Sequence, residues 1–427
     1  MRLICIAMIF VLSLPAMSQP LQPLESNRKG VEILRKSLKA YGGQGAIDSM
    51  RLAFKMHNSR NISRGQSLAA HRPFEPYFAY YDFMIDRPRG IEWEARKSSI
   101  AGFVFENNII YKNGKAINYD PLLKQYSEFN GNSIANSMTY LPHNIIITAL
   151  RAPLSVRYIG DQLLGKDDVY CITYSTGNNL DNVFIDKKTH YIVKLQRMSA
   201  GTAGEELNEF FFKNHRKVGR LAIPESTDVV RHSSVYGSIT NNYAFFDFAP
   251  DFTIDTSWLR APSDYKLADY SYRKNFEVRQ LAKDIYLLEN ITNSRGQWSY
   301  NVLFVVMDEY VLVAEAPLNS ATTDRVLAKI KEVAPDKPVK YLVQSHHHDD
   351  HLGGIRSYIA EGTTIITTAN NVDLIQKMAK VSFNAFPDRL AQNPKAPVIE
   401  TIRNKKHVIK DQNHEVVIRY WSQPTRQ

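Results

Sequence analysis

The spacing of apolar residues changes between residues 250 and 285, and this change limits most strongly what the chain can fold into. From about Met50 to Pro250, apolar and polar positions alternate in runs rich in aromatic and β-branched residues. That period of two is typical of antiparallel strands joined by tight turns. After residue 275, apolar strand-like runs alternate with helical patterns, which indicates an α/β fold with strands buried on both faces.

These patterns set the domain boundaries that we predict. A signal peptide covers residues 1–18, a β-rich domain residues 19–255, a linker residues 256–275, and the α/β domain residues 276–427. The β-rich domain also contains helical patterns, so we expect an α+β domain with a curved antiparallel sheet or half-barrel. Its strongest local signal is the dipeptide Asn113-Gly114, which predicts a two-residue hairpin turn.

The first residues have the pattern of a secretory signal peptide. Met1-Arg2 is a short positive segment, Leu3 to Leu14 is almost wholly apolar, and small residues precede the site after Ser18. An uncleaved membrane anchor is the alternative, but this run is shorter than the roughly 20 residues that span a bilayer. No later stretch is long and apolar enough to span. We therefore expect a secreted or periplasmic protein without a transmembrane segment.

Charge and cysteine content exclude several classes of protein. The chain has 53 Lys and Arg against 43 Asp and Glu, for a net charge of +10, without a block of five like charges. This spread favours solubility over nucleic-acid binding, so we expect no nucleic-acid partner. Two cysteines, Cys5 and Cys171, cannot form a disulfide framework or a cysteine-rich metal cluster. Cys171 is expected to be a buried apolar residue.

A histidine-rich segment between a predicted strand and a predicted helix is the strongest functional signal. It runs from Ser345 to Gly354 and reads Ser-His-His-His-Asp-Asp-His-Leu-Gly-Gly. In an extended segment, residues two apart point to the same side, so His346 and His348 can reach one ion. Asp350 and His351 follow at the helix start and can face a second ion. Imidazoles and carboxylates suit Zn²⁺.

The alternative for this segment is a solvated His/Asp loop or an adventitious metal-binding tract. A surface run of this kind would not usually stand behind a buried strand and ahead of a Gly-Gly helix start. We therefore favour a metal site with one or two zinc ions and no other cofactor.

His-x-His-x-Asp-His followed by Leu-Gly-Gly resembles the metallo-β-lactamase superfamily of metallohydrolases. The resemblance extends from about Phe276 to Thr368 and includes the strand Asn301–Val305. It also includes the strand Val311–Ala316, in which Glu315 stands where an Asp is more frequent in the family. The family fold is an αββα sandwich of two halves, so the resemblance implies that fold for this part of the chain.

The resemblance also implies roles for the residues of the segment. His346 and His348 would bind the first zinc, and Asp350 and His351 the second. Asp350 would in addition be catalytic, because it would orient the bridging hydroxide or accept its proton. His347 and Asp349 occupy variable positions of the family pattern, where they would support the ligands or face solvent.

The chain departs from the family pattern after residue 368. The family's second half supplies a further His to the first metal, then a bridging Asp and a last His. Here His407 and His414 are the remaining candidates, and both have the pattern of strand-edge residues. We therefore expect that the second half of the domain is missing, through an incomplete gene or a natural truncation.

A missing second half has consequences for stability and activity. The sheet of residues 302–368 would lack its facing partner, so apolar surface would be exposed and the domain could self-associate. We also expect weaker zinc binding than in a complete member, and little or no hydrolase activity from this chain.

The β-rich domain has a second, shorter resemblance. The segment Val183–Val193, a strand that ends in an Asp-containing turn and then resumes, resembles the half-barrels of the lipoprotein-carrier family. A structural β-domain and a domain with a lipid pocket both remain open, and we favour the former.

Together these features predict an exported zinc-dependent hydrolase in which a metal-bound hydroxide attacks an ester, amide, lactam or phosphoester. The alternative is a catalytically incomplete binding protein of the cell envelope with a relic metal motif. The residues do not select the substrate.

The signal peptide gives the first testable prediction. The exported protein should begin near Gln19, because the peptide Met1 to Ser18 has the charged, apolar and small-residue segments that a signal peptidase requires. Intact-mass measurement of the secreted or periplasmic protein tests this. Recovery of a chain that retains these residues in the membrane fraction would contradict it.

Overall fold

The computed structural model describes residues 23–420, apart from 63–64, 68, 71–72, 101–102, 132, 177–178, 202–203, 269–275, 293–298 and 404–405. The predicted signal peptide lies outside the described residues. None of the helices that these residues form has the length and apolar character of a membrane-spanning helix.

The first sheet, called here the N-terminal sheet, has fourteen strands among the described residues. Its strands are β1 (Arg51–Ile62), β2 (Pro76–Asp86), β3 (Ile91–Ile100), β4 (Phe103–Lys112), β5 (Lys115–Asp120), β6 (Gln125–Asn130), β7 (Arg157–Leu164), β8 (Asp167–Thr176), β9 (Asn179–Asp186), β10 (Ile192–Gly201), β11 (Gly204–Val218), β12 (Leu221–Ser233), β13 (Gly237–Ala249) and β14 (Lys266–Leu267). Two antiparallel meanders, β1–β6 and β7–β13, join where β1 pairs with β13. The predicted antiparallel sheet is confirmed.

Four helices accompany this sheet in the described part of the chain: α1 (Pro23–Ala40), α2 (Gly43–Asp48), α3 (Ile134–Ser137) and α4 (Pro142–Arg151). Leu34 of α1 and Ile146 of α4 are fully buried in one apolar cluster with Ile172 and Ile185 of the strands. Each such side chain contributes about 1.5–3 kcal/mol on burial. Helices α1 and α4 therefore cover one face of β8–β11.

Two turns behave as their sequences predict. Asn113 and Gly114 have positive φ values of 48° and 90°, as a type I′ turn requires, and they join β4 to β5. Asp186 ends β9, and its Oδ1 accepts hydrogen bonds from the backbone N–H groups of Lys188 and Thr189. Cys171 is buried, as expected.

The described part of the predicted linker packs against the N-terminal sheet. Thr256–Leu259 forms a 3₁₀-helix, and β14 pairs in parallel with β6. The rings of Trp258 and Tyr265 lie 4.9 and 5.5 Å from the ring of Tyr119. Aromatic burial of this kind fixes the segment up to about residue 267 on the sheet. The domain boundaries themselves stay predictions.

The second sheet, called here the C-terminal sheet, has seven strands among the described residues, in sequential order. They are β15 (Glu277–Ala282), β16 (Ile285–Thr292), β17 (Ser299–Val306), β18 (Val311–Ala314), β19 (Val339–Val343), β20 (Thr364–Thr367) and β21 (Val398–Thr401). The helices are α5 (Ser320–Val333), α6 (Asp349–Leu352), α7 (Ile355–Glu361), α8 (Ala369–Lys380) and α9 (Arg389–Gln392). Strands β15–β18 pair antiparallel and β18–β21 parallel.

The start of α5 and the helix after the histidine segment both differ from what the sequence pattern predicts. The sequence pattern predicts Ser320 as the cap of α5, but Asn319 caps the helix, because its Oδ1 accepts the N–H of Thr322 at 2.9 Å. The apolar spacing predicts one helix from Leu352 to Ala360. The structure has two short helices instead, α6 and α7, which separate at the glycine pair Gly353-Gly354.

The two faces of the C-terminal sheet are covered differently. Val302 and Phe304 lie on one face, fully buried against helices α5, α7 and α8. The other face is packed by a two-stranded hairpin, called here the C-terminal hairpin, of β22 (Lys406–Lys410) and β23 (Glu415–Arg419). Ile409 of this hairpin packs on that face and is 6% exposed. Leu303 of β17 points to the same face but is 38% exposed. The expectation of an uncovered face is therefore correct only in part.

A buried ion pair fixes the helices that follow the histidine segment. Arg356 of α7 is 2% exposed, and its Nε and Nη2 donate to the two carboxylate oxygens of Asp388 at 2.6 and 2.9 Å. Its Nη1 donates to carbonyls at the end of α8, including that of Met378 at 2.7 Å. Every donor group of this buried guanidinium is therefore directed at an acceptor.

Arg356→Met should lower the free energy of unfolding of the C-terminal region by about 3–5 kcal/mol, because it leaves Asp388 buried without its partner. Arg389→Met is the matched control. Arg389 also pairs with two carboxylates, but its side chain is 41% exposed, so the loss should be below about 1 kcal/mol. Urea unfolding curves of both variants measure the difference, and equal losses would contradict the prediction.

Candidate metal centre

The histidine segment is positioned by the parallel strands β18 and β19. Parallel strands end at the same edge of a sheet, so the residues that follow them meet. Glu315 follows β18 and donates its backbone N–H to the carbonyl of Val343, the last residue of β19, at 3.0 Å. The segment His346–His351 then runs from this edge into α6.

The side chains predicted to bind metal lie beside one another at this edge. The ring centroid of His346 is 4.7 Å from that of His348 and 4.4 Å from that of His351. His351 Nδ1 lies 3.4 Å from Glu315 Oε2, and its Nε2 lies 3.9 Å from Asp350 Oδ2. The tertiary structure therefore brings together the four residues that the sequence nominates.

The nitrogen atoms that remain free are consistent with metal binding. His346 Nδ1 lies 2.7 Å from Ser345 Oγ, and His348 Nε2 lies 3.1 Å from the carbonyl of Ser67. The other nitrogen of each ring, His346 Nε2 and His348 Nδ1, has no hydrogen-bond partner among the described residues. A ligating imidazole usually binds metal through one nitrogen and hydrogen-bonds through the other, so this donor set fits zinc.

The four side chains are adjacent without converging on one point. Among the described residues, the group with three donor atoms within 4.8 Å of one another is instead Asp308, Asp411 and His414. Binding of an ion at the histidine segment therefore requires rotation of its imidazoles and carboxylates.

Two polar side chains donate hydrogen bonds to the histidine segment. Gln344 is 1% exposed, and its Nε2 donates to the carbonyls of His346 at 2.9 Å and His351 at 3.1 Å. Tyr300 of β17 donates its hydroxyl to Asp350 Oδ2 at 3.0 Å. Burial and the nearby Asp350 carboxylate raise the pKa of Tyr300, so it remains a donor at neutral pH.

The environment sets the protonation of the segment. Burial, together with the imidazoles of His351 and His348, lowers the pKa of His346 to about 4. The hydrogen bond to Glu315 raises the pKa of His351 against the effect of burial. Burial acts to raise the pKa of Asp350, but hydrogen bonding from Gln66 and the charge of His351 hold it below its ordinary value. His346 is thus neutral and Asp350 ionised at neutral pH, the forms that bind metal.

The glycine pair after the segment allows close packing. A Cβ on Gly353 would lie 2.1 Å from the carbonyl oxygen of Leu318, and one on Gly354 would lie 1.7 Å from Thr323 Oγ1. Neither position has space for a side chain, so the turn between α6 and α7 can lie directly against the start of α5.

Residues Gly65–Ser67, from the connection between β1 and β2, lie against the other side of the segment. The carbonyl of Ser67 is 2.7 Å from His347 Nε2, and the carbonyl of Gly65 accepts the N–H of Asp349 at 2.9 Å. His347 and Asp349, expected to support the ligands or face solvent, therefore contact the N-terminal part of the chain.

Sequence reasoning did not find Gln66, Ser67, Tyr300 or Gln344. Tyr300 lies at the start of β17, and Gln344 directly follows β19, where a polar residue at the end of an apolar strand is a usable signal. Gln66 and Ser67 precede the segment by about 280 residues and have no such signal.

The second cluster, Asp308, Asp411 and His414, lies at the opposite end of the sheet. Asp308 precedes the amino end of β18, whereas the histidine segment follows the carboxyl end of β19. His414 Nδ1 lies 3.0 Å from Asp411 Oδ1, and its Nε2 lies 3.2 Å from Asp284 Oδ2. His414 is therefore not a third ligand at the histidine segment.

Hydrogen bonds satisfy the carboxylates of this second cluster. Asp308 accepts the N–H groups of Gln412 and Asn413, and Asp411 accepts those of Asp308 and His414. The cluster thus joins the turn of the C-terminal hairpin to the turns before β16 and β18.

The solved structures that are similar to this chain include a LolA-superfamily protein and metallo-β-lactamases. A LolA-superfamily protein from Nitrosomonas europaea is similar over 53% of this chain and 96% of its own, at 9% identity and a TM-score of 0.34. Metallo-β-lactamases from Pontibacter korlensis and Hirschia baltica match 33% and 32% of this chain, at 18% and 19% identity and TM-scores of 0.24 and 0.23.

This chain spans 57% of the length of each of these two metallo-β-lactamases. A scan against protein-family models gave no match, and neither did a search of curated proteins. Both resemblances predicted from the sequence recur among the structural matches.

The His414 cluster gives a pH-dependent prediction. Burial lowers the pKa of His414, but hydrogen bonds to Asp284 and Asp411 outweigh it and raise the pKa above its ordinary value. A raised pKa means that the stabilisation is complete below about pH 6.5 and is lost as the pH rises through the folded-state value. His414→Gln should therefore lower the unfolding midpoint at pH 5.5 more than at pH 9.

Denaturation curves at the two pH values measure this difference. His407→Gln is the matched control, because His407 lies on the same hairpin and contacts one carboxylate, Glu400, at 3.7 Å. An equal effect of His414→Gln at both pH values would show that its charge does not stabilise the fold.

Proposed function

We propose that this chain is an exported zinc-dependent hydrolase of the metallo-β-lactamase superfamily. The observation that carries the proposal is the arrangement of His346, His348, Asp350 and His351 at the carboxyl edge of parallel strands, with free imidazole nitrogens and an ionised carboxylate. Open α/β sheets place their reactive groups at this edge. Export is supported by the sequence of residues 1–18.

Four side chains of the segment would hold one or two zinc ions. His346 through Nε2 and His348 through Nδ1 are the ligands we assign to the first site, and Asp350 and His351 to the second. Zinc, when bound, lowers the pKa of a coordinated water from 15.7 to about 7 and polarises a carbonyl or phosphoryl oxygen.

The surrounding residues orient this donor set. Tyr300 and Gln66 each donate a hydrogen bond to one oxygen of Asp350, and together they orient its carboxylate. Glu315 contacts His351 and directs its ring towards Asp350. Asp350 is the residue we assign as catalytic, as a hydrogen-bond acceptor that orients the attacking water.

The metal-binding residues limit the substrate to a broad chemical class. Hydrolysis assisted by zinc needs an electrophilic carbonyl or phosphoryl centre, so esters, amides, lactams and phosphoesters all qualify. The comparisons do not narrow this set.

A second candidate is a binding protein of the cell envelope with an inactive metal segment. A cavity of about 520 Å³ on the N-terminal sheet favours it, and apolar side chains line much of this cavity, among them Ile159, Leu163 and Phe184. The volume lies in the range of small-molecule sites. A binding protein of this kind would not need zinc.

Zinc binding and turnover by the full chain test the proposal. The wild-type protein should bind zinc, and its hydrolysis of a panel of β-lactam, ester, lactone and phosphodiester substrates should be slow and zinc-dependent. His348→Ala should remove both properties, because it deletes a ligand. Metal analysis and chelator-sensitive rates measure them.

His414→Ala is the control for this experiment, since His414 lies at the opposite end of the sheet and should leave zinc affinity nearly unaltered. A wild-type chain that binds no zinc, or an equal loss in both variants, would contradict the proposal. Binding of an apolar ligand without zinc would favour the second candidate.

A further inference from the structure

The side chain of Gln66 bridges two neighbouring carboxylates of the histidine segment. Its Nε2 donates to Asp350 Oδ1 at 2.6 Å and also to Asp349 Oδ1. Two carboxylates at consecutive positions repel each other when both are ionised. A single amide group with two N–H donors satisfies one oxygen of each, and it carries no charge that would compete with a bound cation.

The backbone carbonyl of Ser67 contacts two imidazoles of the histidine segment and sets which of their nitrogen atoms carries the proton. It lies 2.7 Å from His347 Nε2 and 3.1 Å from His348 Nε2. A carbonyl only accepts hydrogen bonds, so Nε2 of each ring must carry the proton. For His348 this fixes the tautomer in which Nδ1 has its lone pair available for a metal.

The backbone of these residues is held in place by contacts on both sides. A Cβ on Gly65 would lie 2.3 Å from Asp349 Oδ2, so glycine is needed for this close approach. Ser67 is 1% exposed, and its hydroxyl donates to the carboxylate of Glu75. Farther along the same connection, Phe74 packs against the core of the C-terminal sheet, with its ring 6.0 Å from that of Tyr236.

We propose that residues Gly65–Ser67 position the metal-binding side chains, so that zinc binding and docking of this loop onto the histidine segment stabilise each other. The proposal rests on the zinc site assigned above and extends it to residues from the N-terminal sheet. Coupling between two binding events is reciprocal. Loss of the loop contacts must therefore weaken zinc binding. Bound zinc must in turn slow the opening of the loop, which hydrogen exchange detects.

Two substitutions of Gln66 separate hydrogen bonding from the filling of space. Gln66→Met keeps the length of the side chain and removes the donor, and Gln66→Ala removes both. If the amide positions the carboxylates, both variants should lose about 10–100-fold in zinc affinity, the usual effect of removing a partner of metal ligands. Competition with a chromophoric chelator, on the full chain, measures this loss.

Gln392→Met is the matched control, because Gln392 is an exposed glutamine of α9. The Gln66 variants should still unfold cooperatively in the absence of zinc, which distinguishes positioning from a general loss of fold. Gly65→Ala tests the backbone contact independently and should weaken zinc binding as well, because its methyl group collides with Asp349.

Hydrogen exchange provides the reciprocal measurement. Amides of residues 65–67 and the N–H of Asp349, which donates to the carbonyl of Gly65, should exchange more slowly when zinc is added to the wild type. His348→Ala, which cannot hold the ion, should show no such protection.

Several outcomes would overturn the proposal. Wild-type zinc affinity in Gln66→Met would mean that Gln66 merely fills space. Tighter binding in either variant would mean that the loop obstructs the site. Zinc binding without protection of residues 65–67 would exclude the coupling and leave the proposed function intact, whereas a wild type that binds no zinc would overturn the proposed function itself.

Discussion

Parallel pairing of β18, β19 and β20 is the constraint on which the rest of the C-terminal region depends. The pairs Val313–Leu342 and Leu342–Ile365 are fully buried, so the register of these strands is fixed by burial of one apolar face. A shift of one residue would move these side chains to the face that packs against the C-terminal hairpin. Because the register is fixed, Glu315 and the histidine segment must meet at one edge.

The candidate metal centre draws on three parts of the chain that are distant in sequence. The histidine segment supplies the donors, Tyr300 supplies a hydrogen bond from a neighbouring strand, and Gln66 reaches the segment from the connection between β1 and β2. Each contact is a hydrogen bond in a partly buried setting, where an unsatisfied group is costly. The geometry of the centre therefore depends on both sheets at once.

The two His/Asp clusters of the C-terminal region have different physical roles. In the His414 cluster, the carboxylates already accept backbone N–H groups and an imidazole, so the charges are balanced within the protein. In the histidine segment, His346 Nε2 and His348 Nδ1 have no such partner among the described residues. The balanced charges of the His414 cluster stabilise the C-terminal hairpin, whereas the two ring nitrogen atoms of the histidine segment are available to bind a ligand.

Local patterns in the sequence determined much of the fold. The period-two runs, the Asn113-Gly114 turn and the alternation of strands with helices after residue 275 were predictable, because each depends on neighbouring residues. The candidate metal-binding residues could be proposed for the same reason, since His346 to His351 lie within six positions. Asn319 as the cap of α5 was missed, because several residues there can cap a helix.

Only the tertiary structure decided what surrounds those donors. The C-terminal hairpin covers a face that the sequence left bare, because apolar residues at strand spacing do not reveal which sheet they will pack against. The contacts of Gln66 and Ser67 join residues about 280 positions apart, and a single polar residue in a loop carries no periodicity that could indicate its partner. The sequence thus specified which groups can bind a metal, and the packing of the two sheets decided how those groups are oriented.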